Sequence, residues 1–430
     1  MTAKKLLEEG RDYLEERAPQ EIEQNRKGDF SLCFTINGKP LPKADIRYRL
    51  LRHDYDFGCN LFMLDQYDTQ EENETYLTLW KQLFNTAVVP LYWEGTEPEQ
   101  GKLRYDKDAS PFYRRPPLER VMAYCRENHI AMKGHPLFWH EFIPTWLPED
   151  FDTLYPLIEK RFAEIARLSA ADIPVYDCVN EPSRIWDMTH EHRTDGYKML
   201  APPDGYVEKL FALANRYFPH NELILNEATG QAFCHYRGSY GGYYLYVKGL
   251  LEAGVPIDRV GLQCHIDDSP EFANLYDARR LYSLLDGYER LGRPLVLSEI
   301  GLSLPDEELQ AEAARQLYTI WFSHPATNGI FWWNLDDNGI LCHKSRQAGA
   351  ENLPYGGLCR QARPKAAYHA LLQLIRHDWH TEGSTRSENG TTAFRGFFGR
   401  YEVEIFAAGV CRKVEIDLGK KAARTQTVAL

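Results

Sequence analysis

The sequence contains no C-x-x-C pair, and its nine cysteines are scattered and odd in number. That spacing argues against a disulfide framework and fits a reducing compartment. No apolar run approaches the roughly 20 residues of a membrane span. The opening stretch, Met1 to Glu9, has no apolar segment of the kind that marks a secretory leader. The expectation is a cytoplasmic protein with no membrane partner; a leader removed before Met1 would make it a secreted one. Positive charge is also short: the net charge is −12, which argues against a nucleic-acid partner. No G-x-G-x-x-G follows the first predicted strand, and there is no HExxH or paired-histidine strand motif. No metal and no cofactor are therefore expected. What is abundant is apolar and aromatic: 43% of the 430 residues are hydrophobic, with nine Trp and 26 Tyr. The chain can bury one large core, or one large domain and a small one.

Residues 4–26 read as a charged helix with a thin apolar stripe of Leu6, Leu7 and Leu14. Phe30 to Ile36 and Ala44 to Leu50 alternate as strands do, with Asn37-Gly38 as a hairpin signal between them. Three further strands are expected at 394–398, 401–407 and 410–416. Neither end alone has enough strands for a stable sheet, so the two ends are expected to pair into one small β subdomain. Between them, eight short apolar runs each precede a helical stretch: 56–62, 86–92, 130–135, 174–181, 222–227, 258–265, 294–299 and 328–334. This rhythm predicts an α/β chain folded as a (β/α)8 TIM barrel, with a doubly wound open sheet as the alternative. The expected divisions are 1–27 for the N-terminal helix, 28–54 and 384–430 for the β subdomain, and 55–383 for the barrel.

In such a barrel the active site lies at the C-terminal ends of the strands. Polar residues there are His135, Asn180, Glu181, Asn226, Glu227, Gln263, His265, Glu299 and Asn334. Glu181 in Val179-Asn180-Glu181-Pro182 ends predicted strand 4, and Glu299 in Leu297-Ser298-Glu299-Ile300 ends predicted strand 7. A carboxylate at the end of a buried strand is costly unless it is partnered or working. Strands 4 and 7 lie nearly across a barrel, so two glutamates can approach a bound sugar from opposite sides. Retaining glycoside hydrolysis needs such a pair, one protonated and one ionised. His265 and Gln263 are placed to give an ionised nucleophile its donors. The plainer alternative is that one glutamate caps a helix or forms an ion pair.

In this order along the chain, seven motifs resemble glycoside hydrolase family 10, the xylanase family of retaining enzymes. They are Phe84-Asn85-Thr86 with Trp93-Glu94-Gly95-Thr96-Glu97-Pro98, Gly134-His135-Pro136-Leu137-Phe138-Trp139-His140, Val179-Asn180-Glu181, Leu225-Asn226-Glu227, Gly261-Leu262-Gln263-Cys264-His265, Leu297-Ser298-Glu299-Ile300 and Pro364-Lys365-Ala366-Ala367-Tyr368. The resemblance covers about 50–380. It implies Glu181 as acid/base, Glu299 as nucleophile and a carbohydrate substrate, xylan-derived or related. It also implies Asn180 on the sugar 2-hydroxyl, His265 orienting Glu299, and His135, Trp139 and Gln263 lining the same subsite. Trp332 or Trp333 is expected as the apolar wall under the sugar, a C–H-rich face packing on indole.

One stretch departs from the family. Where it has E-N-x-M-K-W, this chain has Val88-Val89-Pro90-Leu91-Tyr92-Trp93. Trp93 aligns, Tyr92 stands in the lysine's place, and the Glu-Asn pair is missing. A short, aryl or acid-decorated β-glycoside is thus an alternative substrate, with Lys344 and Arg346, or Glu191-His192-Arg193, as groups able to meet an acidic substituent. Two other classes compete: a metal-dependent hydrolase drawing on His135, His140 and His265, and a non-catalytic sugar-binding barrel.

Overall fold

The computed structural model describes residues 3–110, 112–183, 200–337, 356–407 and 410–430. The chain opens with helix α1 (Ala3–Asn25), which buries Leu6 and Leu7 against the helices at Ala278–Tyr288 and Glu307–Ser323. Arg26 follows it and is 7% exposed. Its guanidinium donates to the carbonyls of Phe322, His324 and Thr327 and lies 4.7 Å over Tyr55. It thereby caps carbonyls at the end of the Glu307–Ser323 helix that have no partner within the helix.

Strands β1 (Lys27–Ile36), β2 (Lys39–Pro40) and β3 (Lys43–His53) come next. Asn37 and Gly38 both take the left-handed backbone of a tight hairpin turn. The turn joins β1 only to the two-residue β2; β3 leaves to pair elsewhere. Eight parallel strands then close a barrel: β4 (Asp56–Asn60), β5 (Thr86–Pro90), β6 (Ala131–His135), β8 (Val175–Asn180), β9 (Glu222–Glu227), β10 (Arg259–Asp267), β11 (Leu295–Ser303) and β12 (Thr327–Trp332). The short β7 (Phe138–Trp139) lies beside β8. Closure is complete, since β6 pairs with β8 and β12 pairs with β4. All eight predicted runs become barrel strands.

The barrel interior is filled by Val88, Val175, Ile224, Val296 and Phe331, one from each of five strands. A larger apolar layer packs between the strands and the surrounding helices. These five strands therefore carry apolar residues toward the interior as well as toward the helices, which is why their runs read as continuous rather than alternating. None of the helices of the described residues is long and apolar enough to cross a membrane.

After a two-strand ribbon, β13 (Cys359–Arg360) and β14 (Arg363–Pro364), the chain ends in β15 (Glu382–Glu388), β16 (Thr391–Phe397), β17 (Gly399–Ala407), β18 (Val410–Leu418) and β19 (Thr425–Ala429). These join β1–β3 in one sheet of order β18-β17-β3-β15-β16-β1-β19, with β2 on β1. The C-terminal part thus holds five strands where three are expected. β15 escapes notice because its exposed face is fully polar and only Ser387 is buried. An aromatic seam joins sheet to barrel: Phe322 stacks on Trp379 at 4.2 Å, and His53 meets Phe57, Phe322 and Phe397 edge-on.

Candidate active site

β8 delivers Asn180 as its last residue, and Glu181 follows in a left-handed turn with φ 52°. A non-glycine residue held there costs on the order of 1–3 kcal/mol and needs a surrounding that fixes it. Two anchors do so. The Glu181 N–H donates to the Asn226 carbonyl at 2.7 Å. Two residues on, the Ser183 N–H and hydroxyl both donate to Oε2 of Glu227. Gln263 on β10 then donates from Nε2 to Oε1 of Glu181 at 2.9 Å. Glu227 has no exposed surface. Burial pushes its carboxyl up to about 7, against donors from Ser183 and Ala228 that pull it down, while the neighbouring Glu181 charge pushes it further up.

Glu299 does not end its strand. β11 runs four residues further, to Ser303, and its pairing with both neighbours is irregular at this point. The expectation of a strand-end glutamate is corrected accordingly: an irregularity re-aims a side chain without stopping the ladder. Both carboxylate oxygens of Glu299 are held. Nε2 of His265 lies 3.1 Å from Oε2, and Nδ2 of Asn226 donates to Oε1 at 3.1 Å. The same Nδ2 donates to Asn180 Oδ1 at 2.7 Å, and the Ser298 hydroxyl donates to Asn226 Oδ1. One buried amide thus fixes Asn180 and Glu299 together.

His135 ends β6 and sits beneath this group. Its Nδ1 lies 2.6 Å from Asp177 Oδ2, and its Nε2 faces Glu299 Oε1 at 4.0 Å. Burial pushes the Asp177 carboxyl up, but Lys133 and His135 outweigh it and hold it below the usual carboxylate range. Held by an ionised acceptor, Nδ1 of His135 carries a proton. His135 Nε2 and Trp139 Nε1 are both buried, and neither finds a hydrogen-bond partner among the described residues.

An aromatic cluster borders His135: Trp333 at 4.9 Å and Tyr92 at 5.4 Å between ring centroids. Tyr92 also meets Trp139 and Phe142, and Phe62 packs between Tyr92 and Trp333. The guanidinium of Arg115 lies 3.6 Å over the Tyr92 ring and pairs with Glu94 at 3.3 Å. Two expected lining residues turn away. Trp332 is fully buried outside the barrel, its indole donating to the Gly356 carbonyl at 3.0 Å beside Tyr318. Trp93 faces the outer layer, bonded to Glu97 and covered by Trp146 and Arg161. At the end of β12 (Thr327–Trp332) the chain turns Trp333 to the opposite side from Trp332; past the end of β5 at Pro90, Tyr92 caps the short helix Trp93–Thr96, which carries Trp93 outward.

The structure therefore brings together Glu181, Glu299, Asn180, His265, Gln263, His135, Trp139, Tyr92 and Trp333. Asp177, Ser298 and the Arg114–Arg115 pair were not singled out from the sequence. Asp177 carried a signal, because Lys133-x-His135 and Asp177 occupy neighbouring parallel strands. Arg114 and Arg115 carried none, since they reach the site from the loop before the Leu118–Glu127 helix. Lys344, Arg346 and Glu191-His192-Arg193 lie outside the described residues. One group of possible metal ligands occurs among the described residues, Asp286, Glu289 and His324. It is an ion-pair cluster instead: Arg17 lies 2.7 Å from Asp286, and His324 lies 3.0 Å from it.

The profile of glycosyl hydrolase family 10 matches residues 60–374. Endo-1,4-beta-xylanase 1 of Arabidopsis thaliana is 26% identical over 394 residues, covering 90% of this chain and 37% of that protein. The anti-sigma-I factor RsgI6 of Acetivibrio thermocellus is 25% identical over 408 residues, with 92% and 47% covered. The chain thus spans about a third to a half of the length of these relatives. Endo-1,4-beta-xylanase B of Thermotoga neapolitana is 23% identical over 346 residues, with 77% and 92% covered. Among solved structures, xylanase 10B of Thermotoga petrophila in complex with xylobiose aligns with a TM-score of 0.55 at 20% identity, covering 74% of this chain and 94% of that one. That likeness speaks for the barrel fold. With the profile spanning more than half its length, the chain belongs to glycosyl hydrolase family 10.

Proposed function

We propose that this chain is a retaining β-glycoside hydrolase acting on xylan-derived or related β-linked oligosaccharides. The observation that carries the reading is the unequal dress of the two glutamates beside one cleft. Both oxygens of Glu299 accept hydrogen bonds, from His265 and from Asn226, the environment of an ionised nucleophile. Glu181 sits on a strained turn and accepts from Gln263 Nε2 on Oε1, placed to pass a proton as acid and then base. In the first step Glu299 attacks the anomeric carbon while Glu181 gives its proton to the departing glycosidic oxygen. In the second, Glu181 takes a proton from water, the water oxygen attacks the same carbon, and Glu299 leaves as a carboxylate. Asn180, whose amide oxygen is taken by Asn226, offers its NH2 to the sugar. His135 Nε2 and Trp139 Nε1, buried and without partners among the described residues, await hydroxyl groups, and Trp333 gives the ring its apolar wall.

The relatives' names include several endo-1,4-beta-xylanases, and one solved structure holds xylobiose; both favour a xylose-based substrate. A second reading, a short or unusual β-glycoside, is favoured by the site of Tyr92, where the Arg115 guanidinium covers the ring instead of a lysine reaching a sugar. Rates on xylan, xylo-oligosaccharides and aryl β-xylosides separate the two. Glu299→Ala is expected to lower the rate by several orders of magnitude. An NMR time course is expected to show the retained anomer first. Release of the inverted anomer by the wild type would end the double-displacement reading.

A further inference from the structure

The acid/base of the proposed reaction stands on a turn that its own residues do not favour. Glu181 is left-handed at φ 52°, and a proline such as Pro182 normally drives the residue before it to extended backbone. Such a turn persists only where its surroundings hold it. The holding group comes from the next strand. In the parallel pairing of β8 with β9, Asn180 lies level with Asn226, so Glu227 follows alongside the Glu181 turn. Its Oε2 collects two donors from Ser183, the N–H at 3.1 Å and the hydroxyl at 2.5 Å. Its Oε1 accepts the Ala228 N–H at 2.8 Å. Glu227 has no exposed surface, and both oxygens are taken by the chain itself. A buried carboxyl is costly unless it is partnered, and an apolar residue of the same length would fill the space without that cost.

Resting on the glycosidase reading, we infer that Glu227 is the positioning residue of the acid/base: through Ser183 it fixes the turn that aims Glu181 at the departing glycosidic oxygen. The Asn226 carbonyl accepts the Glu181 N–H at 2.7 Å and holds the near end of this turn; Glu227 holds the far end. The nucleophile is held by other groups. Glu299 has His265 at Oε2 and Asn226 Nδ2 at Oε1, and neither bond passes through Ser183 or the Glu227 side chain. Two consecutive side chains of β9 thus brace the two halves of the site separately: Asn226 serves Glu299, and Glu227 serves the Glu181 turn. A general acid works only within hydrogen-bond reach of the oxygen it protonates, and a displacement of about 1 Å is enough to cost much of its effect. Loss of the Ser183 anchor therefore falls on proton transfer and spares nucleophilic attack.

The test compares wild type, Glu227→Met and Glu227→Gln on two aryl β-xylobiosides. Phenolate departs only with a proton from Glu181, whereas dinitrophenolate departs unaided. Glu227→Met keeps the volume and removes both acceptors. It is expected to lower kcat/KM on the phenyl substrate by about 100-fold, the low end of what a general acid supplies, and on the dinitrophenyl substrate by less than about threefold. Glu227→Gln keeps one oxygen for Ser183 and should recover part of the phenyl loss. Melting temperatures check that each variant is folded. Should Glu227→Met fail to fold, Ser183→Ala decides instead: with one donor removed, the ratio of the two rates should move the same way by about 3- to 10-fold. Equal loss on both substrates, or no loss on either, leaves the ratio at its wild-type value and overturns this inference while the glycosidase reading stands. A wild type that cleaves neither substrate would overturn that reading and this inference with it.

Discussion

A carboxyl group with no exposed surface, set one residue from a buried amide and near another glutamate, titrates unlike one in water. Glu227 is that group, and burial raises its folded value to about 7 from an ordinary 4.5. The folded state then holds a proton that the unfolded state gives up. Stability from this proton is full below about pH 4.5 and is lost as pH rises through about 7. The shift corresponds to ~3 kcal/mol at most. Glu227→Gln keeps the size and removes the titration. In urea unfolding at pH 5 and pH 8, the variant should gain on wild type by about this amount at the higher pH. Parallel stability curves would rule the assignment out. None of this was legible in the sequence beyond Glu227 being one polar residue at a strand end. Its depth, and its hold on the Ser183 turn, exist only once β8 and β9 lie side by side.

Among the elements, the barrel strands were the most legible part of the chain and the terminal strands the least. An apolar run such as Pro294 to Leu297 announces a strand buried on both faces. The register break that re-aims Glu299 leaves no mark in composition, because it depends on how β10 and β11 slip past each other. Likewise β15, polar along its open face, reads as a loop. The orientation of Trp332 and Trp333 turned on a single residue of phase at the end of β12. A related constraint sits in β10. A Cβ on Gly261 would lie 2.5 Å from Oδ1 of Asn226, so glycine leaves room for the amide that serves both Asn180 and Glu299. Gly261→Ala is expected to cost about 1–3 kcal/mol of stability through overpacking. It should also lower kcat on the order of 100-fold by displacing Asn226. Near-normal kcat in the folded variant would show that Asn226 tolerates the shift.

At the scale of the whole molecule, the barrel stands on a sheet that neither end of the chain can make alone. β3 lies between β15 and β17, and β1 lies between β16 and β19. Removing residues 382–430 would strip β3 of both neighbours and β1 of all but β2. Phe30, Leu32, Phe34 and Ile46, now buried, would face water along open strand edges. The expected outcome is loss of most soluble protein, with the remainder eluting as aggregate on size exclusion. A monomeric truncated protein melting at the wild-type temperature would show that the sheet is dispensable to the barrel.

The parallel pairing of β1 with β19 joins residues 31–35 to residues 425–429, nearly the full length of the chain. During synthesis the first strand therefore waits, unpaired on one side, until residues 425–429 have been made. At about 5–20 residues per second that interval is tens of seconds. A nascent chain must shelter an edge rich in Phe and Leu for that time, and contacts this distant in sequence are the slowest to form. The sheet is in this sense a timing device: it makes synthesis of residues 425–429 a condition for closing the edge of β1.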